Sequence, residues 1–137
     1  MSYVAVGMFV LAAARGPASG GHAAALAGKR LVMSGATCAG LEFVDSKHAV
    51  LVSEMGCVTL ETRVRWLSAD TFVLVEMERI NESSPPRTWI YQVVKRSASS
   101  ITLRQPWTGW GDLKDDVIRY AIRTGDSLEK PRPREPS

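Results

Sequence analysis

The alternation of hydrophobic and polar residues predicts β-strands along most of the chain. The clearest example is residues 58–66, where two faces of different character alternate. One face carries Val58, Leu60, Thr62, Val64 and Trp66, and the other carries Thr59, Glu61, Arg63 and Arg65. Such a repeat of two is typical of a strand with one face in a core and the other in water.

Seven further segments have the composition of strands and are separated by turn-forming residues. They are residues 30–34, 41–45, 49–53, 71–80, 88–95, 101–104 and 117–122. Residues 71–80 begin with apolar residues on both faces, so the pattern leaves open which face points inward. Short strands at this close spacing predict an all-β fold, a single antiparallel β-barrel, with a β-sandwich as the alternative.

The N-terminal region has the pattern of a signal peptide. Residues 3–14 form an apolar run that is shorter than the about 20 residues of a membrane span. Small residues follow, and Ala25-Leu26-Ala27 before Gly28 fits an A-x-A cleavage site. Because no Lys or Arg precedes the apolar run, an N-terminal helix or disordered arm of a cytosolic protein is the alternative.

These patterns divide the chain into three parts. We expect a signal peptide over residues 1–27, a β-barrel domain over 28–124 and a disordered tail over 125–137. The tail is assigned as disordered because it holds three prolines within a polar segment. The expected location is periplasmic or secreted.

The two cysteines also support an exported protein. If Lys47 and His48 form a two-residue hairpin loop, the register places Cys38 opposite Cys57. A disulfide between them would close a loop that stabilises the fold by about 3 kcal/mol in an oxidising compartment. The alternative is a pair of buried free thiols in a reduced cytosol. No lipobox precedes Cys38, so we expect no lipid anchor and no stable membrane anchor.

The order of segments resembles a known family. Gly28 opens the body, G-L-E-F-V-D follows at residues 40–45, and W-I-Y-Q-V at 89–93 precedes a turn and I-T-L-R at 101–104. Over residues 28–123 this resembles the small lipocalin-like barrels of bacterial exported proteins. Arg30 stands where lipocalins usually carry a tryptophan. The resemblance implies a cup-shaped barrel with room for an apolar ligand.

The net charge and the potentially reactive side chains limit the classes of function that the sequence supports. The net charge of +3 is mixed evenly with acidic residues, so we expect no nucleic-acid partner. His48 lies in a predicted turn. Glu76 and Glu78 are expected on a solvent face beside Arg63 or Arg65, and the alternative is that they act as a carboxylate pair. The sequence contains no nucleophile motif and no metal-binding motif, so a non-enzymatic protein without cofactors is predicted.

The aromatic residues are the candidate binding residues. Trp107 and Trp110 flank Thr108-Gly109 in one loop, where they could line a ligand site, bind a partner or plug the barrel end. Further candidates that the strand pattern also directs toward the core are Trp66, Trp89 and Tyr91. We expect an exported binding protein that holds a small apolar molecule. The alternative is a protein-interaction module, such as an inhibitor or immunity-type partner, that acts on an exported protein through loops 81–87 and 106–112.

Overall fold

The residues that the structure describes form eight strands and one short helix. The computed structural model describes residues 21–79, 81–109 and 111–124. In chain order the elements are α1 (His22–Leu26), β1 (Lys29–Met33), β2 (Gly40–Phe43), β3 (His48–Val52), β4 (Thr59–Trp66), β5 (Thr71–Glu76), β6 (Thr88–Arg96), β7 (Ser100–Gln105) and β8 (Asp116–Thr124). All eight predicted strands are present. The helix was not predicted, because its residues were assigned to the leader.

The strands pair in sequence order and close into an antiparallel barrel. Each strand is hydrogen-bonded to the next, and β8 returns to β1 with Leu31 opposite Ile122. The predicted all-β fold and the barrel architecture are therefore confirmed. Closure leaves no strand edge unpaired. This up-and-down arrangement is compatible with a lipocalin-like fold.

The barrel interior is filled by side chains around an aromatic cluster. Phe72 is fully buried at its centre, with ring centroids 5.5 Å from Phe43, 4.9 Å from Trp66 and 5.2 Å from Tyr91. Burial of β5 resolves the ambiguity that its sequence left, since Phe72 and Leu74 face inward together with Glu76. An eight-stranded barrel is just wide enough for its own side chains to fill it.

Helix α1 closes one end of the barrel. Leu26 is 0% exposed and belongs to the core cluster, and the Gly28 N–H donates a hydrogen bond to the Phe43 carbonyl at 2.8 Å. Residues 21–27 thus pack on the barrel in the intact chain, whereas the sequence assigned them to the leader. The processing site itself stays a prediction. Residues 1–20 of the expected signal peptide and residues 125–137 of the expected tail lie outside the described residues.

The connections between strands divide into two groups. At the helix end, beside α1, lie residues 44–47, 67–70 and 97–99. At the opposite end lie residues 34–39, 53–58, 77–87 and 106–115. We call this opposite end the disulfide end, because Cys38 and Cys57 lie there in the first two of these connections. Among the described residues, no helix is long and apolar enough to cross a membrane.

The predicted Cys38–Cys57 disulfide is confirmed, although the register that suggested it is wrong. The Cα atoms are 5.8 Å apart. In the structure Phe43 pairs with Ala49, so the hairpin loop is residues 44–47 and not Lys47-His48. The physical reason is Asp45, whose Oδ1 accepts hydrogen bonds from the backbone N–H groups of Lys47 and His48 at 2.7 and 2.8 Å. This side chain stabilises a longer loop.

Glu54 fixes the cysteine-bearing loop at the disulfide end. Its carboxylate accepts hydrogen bonds from the backbone N–H groups of Cys38, Thr37 and Ala39 at 3.0, 2.8 and 2.8 Å. These bonds favour the ionised carboxylate and lower the pKa of Glu54 to about 2. Loop 34–39 is therefore held both by a covalent bond and by an anion that accepts three donors.

Candidate functional site

A groove of about 340 Å³ opens on the barrel surface at the disulfide end. It lies between the start of β6 and the connection from β7 to β8, and we call it the tryptophan groove. Its lining includes Trp89, Gln105, Trp107, Asp112, Lys114 and Asp116. This volume lies at the lower end of the range of small-molecule sites, and the lining is mainly polar.

The structure brings two of the five candidate aromatic residues together in this groove. Trp89 is half-buried on β6 and packs against the core, while Trp107 is 43% exposed in the following connection. The Trp107 backbone N–H donates a hydrogen bond to the Asp115 Oδ1 at 2.7 Å, which holds this connection in place. Trp110 lies outside the described residues.

Arg87 lies at the edge of this groove, where its side chain contacts the Trp89 ring. Its guanidinium carbon lies 5.7 Å from the centre of the Trp89 ring, a distance typical of a cation–π contact. The same guanidinium binds Glu76 through two parallel hydrogen bonds of 3.0 Å, and the Arg87 backbone N–H adds a third at 2.9 Å. Glu76 is thereby positioned as the fixed anchor of loop 77–87.

The electrostatics of this pair indicate a structural anchor. The Arg87 side chain, followed by its backbone N–H, lowers the pKa of Glu76, and Glu76 in turn raises the pKa of Arg87. Glu76 is buried while Glu78 is exposed, and neither is paired with Arg63 or Arg65. The expectation of a shared solvent face is therefore wrong for Glu76. The reason is that Glu76 lies on the same face of β5 as the buried Phe72 and Leu74, and Arg87 binds its carboxylate there.

The other two candidate aromatic residues lie in the core. Tyr91 is 4% exposed and stacked on Phe72, and burial raises its pKa. Trp66 is half-buried at the helix end, far along β4 from the tryptophan groove, and its buried Nε1 has no hydrogen-bond partner. Both residues pack the interior and do not line the groove.

A second cavity of about 200 Å³ lies on the outer wall of β3 and β4. Val44, Val50 and Met77 give it an apolar lining, with His48 and Glu61 at its edge. The His48 Nδ1 lies 3.1 Å from each carboxylate oxygen of Asp45, and both side chains are exposed. The sequence did not indicate this cavity, which Met77 joins because its backbone N–H donates a hydrogen bond to the Glu61 carbonyl at 3.1 Å.

The described residues contain no cluster of three or more His, Cys, Asp or Glu side chains that could hold a metal ion. The sequence analysis placed Asp112 in the candidate loop 106–112 but did not predict that Lys114 and Asp116 line the same groove. No local signal in the sequence shows that the start of β6 and the connection from β7 to β8 line one groove.

Comparison with known proteins gives no relative. No protein-family model matches the chain, and neither the curated proteins nor the solved structures provide a match. The structure alone therefore defines the class: a closed eight-stranded antiparallel β-barrel with a disulfide at one end. The disulfide indicates a protein of a non-cytoplasmic, oxidising compartment.

Proposed function

We propose that the chain is a non-enzymatic, periplasmic or secreted binding protein whose recognition surface is the tryptophan groove. The partner is an exported protein that contacts loops 81–87 and 106–112. The observation that carries this proposal is the presence of Trp89 and Trp107 in one groove, with Arg87 stacked on Trp89. Tryptophan and arginine are the residues most enriched among the hot spots of protein interfaces.

The packing of the barrel supports a surface site over an internal one. An apolar molecule inside the barrel would have to displace Phe43, Phe72 or Tyr91, which are at most 4% exposed. Displacing well-packed core side chains is unfavourable, since interiors are packed as densely as organic crystals. The groove needs no such rearrangement.

A second candidate function is binding of a small apolar molecule at the barrel mouth, as in the lipocalin-like exported proteins. Half-buried apolar side chains at the disulfide end favour it, among them Met33, Leu51, Trp89 and Ile118. These side chains would give a ligand an apolar floor, and loops 81–87 and 106–112 would form its walls.

Co-purification from the exported fraction of the native host tests the proposal. Trp107→Ala removes a 43% exposed side chain in the groove, and the matched control Leu67→Ala removes a 53% exposed side chain at the helix end. We expect a specific protein to be retained by the parent chain and by Leu67→Ala and to be lost with Trp107→Ala. Retention by all three chains would contradict the proposal. A retained small molecule in place of a protein would favour the second candidate.

A further inference from the structure

The outer wall of the barrel carries a group of arginines that the linear sequence disperses. Because successive residues of a strand face opposite sides, the neighbours of buried Leu31, Leu103 and Tyr120 point outward. The outward side chains of β7, β8 and β1 include four arginines. They are Arg104, Arg119, Arg123 and Arg30, and we call them the arginine wall.

The strand register places these arginines on one continuous surface. Arg123 lies directly opposite Arg30 at the seam where β8 pairs with β1. Arg119 lies on the same face of β8, four residues from Arg123, which corresponds to about 13 Å. Arg104 lies opposite Val117, and Lys95 adds a further positive charge opposite Thr102 on the neighbouring strand.

The protein does little to neutralise this surface. Among the described residues, the outward side chains of β1, β2, β7 and β8 include one carboxylate, that of Glu42 opposite Arg30. In the part of the chain that the structure describes, the contacts between basic and acidic side chains join His48 to Asp45 and Arg87 to Glu76, so none of the four arginines is in an ion pair. The Arg30 Nε and the Glu42 Oε2 are both buried without a hydrogen-bond partner.

Like charges placed directly opposite each other across strands are destabilising, so the Arg30–Arg123 pair is unfavourable in the isolated protein. An anionic partner would remove this repulsion. Arginine suits phosphate in particular, because its planar guanidinium binds two phosphate oxygens at once.

We infer that the arginine wall is a docking surface for the anionic phosphate headgroups of a lipid bilayer. Neither described cavity includes these arginines, and a barrel wall without a cleft suits a broad surface better than a small ligand. No aromatic side chain lies among the outward residues of β7, β8 and β1, whereas binding of single-stranded nucleic acid relies on aromatic stacking. Val117, 58% exposed beside Arg104, and Val94, 47% exposed, can enter the interface below the headgroups.

Vesicle flotation with the full chain tests this inference. The probes are vesicles of phosphatidylcholine alone and of phosphatidylcholine mixed with phosphatidylglycerol. Any contribution from the apolar segment at residues 3–14 acts on both vesicle types, so the difference between them reports the charged surface. We expect the chain to bind the anionic vesicles preferentially and to be released as added salt screens the charges.

Two double variants locate the effect. Arg119→Glu with Arg123→Glu reverses two charges on the arginine wall, and Arg63→Glu with Arg65→Glu makes the same change on the exposed face of β4. We expect the first to weaken binding to anionic vesicles by at least about tenfold, and the second to weaken it much less. If the charge reversal prevents folding, the variant Arg119→Gln with Arg123→Gln replaces it in the vesicle assay. Circular dichroism checks that this variant is folded.

Three outcomes would overturn the inference. They are equal binding to both vesicle types, an equal loss in the two charge-reversal variants, and binding to a soluble polyanion such as heparin without binding to anionic vesicles. Trp107→Ala should change vesicle binding much less than the reversal of Arg119 and Arg123, because none of the four arginines lines the tryptophan groove.

Discussion

The carboxylate of Glu54 accepts a hydrogen bond from the backbone N–H of Cys38, so the side chain of one loop fixes the loop that carries the disulfide. This contact has a defined pH dependence. A carboxylate whose pKa is lowered on folding stabilises the protein above its unfolded pKa, and that stability is lost as the pH falls through the folded pKa. For Glu54 the window runs from 4.5 down to about 2.

We therefore expect the thermal unfolding midpoint of the parent chain to decrease as the pH is lowered from 4.5 to about 2. Glu54→Gln should have a lower midpoint at neutral pH and a shallower fall in this window, because an amide offers one acceptor oxygen and places a donor against the backbone N–H groups. Thermal unfolding followed by circular dichroism measures both effects. Identical pH profiles for the two proteins would contradict this role of Glu54.

The disulfide should contribute about 3 kcal/mol to the free energy of unfolding, as expected for a closed loop of this size. The double variant Cys38→Ala, Cys57→Ala should lose this amount in urea denaturation. The intact mass of the protein from its own host should be two hydrogens below that of the reduced chain. A parent protein whose mass and stability do not change with a reductant would show that the bridge does not form.

Leu26 should be part of the stable domain. Since it is fully buried in the core, Leu26→Ala should lower the free energy of unfolding by about 2–5 kcal/mol. A chain that begins at Gly28 should be destabilised by at least as much as the variant, relative to a chain that begins at Gly21 and keeps Leu26. If chains starting at Gly21 and Gly28 unfold at the same urea concentration, helix α1 is not part of the core.

Substitution of Phe72, at the centre of the aromatic cluster, should strongly lower the free energy of unfolding. Phe72→Ala removes a ring that contacts three other rings, and large cavities of this kind lower the free energy of unfolding by about 3–5 kcal/mol. Phe72→Leu fills more of the space and should lose less. Urea denaturation of both variants tests this order, and a smaller loss in Phe72→Ala than in Phe72→Leu would contradict it.

The sequence predicted the strands because alternation is a local signal. It could not predict the hairpin register, since the side-chain hydrogen bonds of Asp45 decide the loop length. Gly40 is a second example: a Cβ there would collide with the carbonyl oxygen of Leu31 on the paired strand, which no local pattern reveals.

The candidate site was only partly predictable for the same reason. Trp107 was recognisable from its loop, but its proximity to Trp89 depends on how β6 and the last two strands meet in the closed barrel. The inward direction of Glu76 was also hidden, because the start of β5 is apolar on both faces.

The most direct test of the tryptophan groove as a recognition site is photo-crosslinking in the native host. A photoreactive phenylalanine analogue replaces Trp107 in one chain and Leu67, at the helix end, in another. The proposed function predicts a discrete protein adduct from position 107 that is absent from position 67. No adduct at position 107, or the same adducts from both positions, would contradict it.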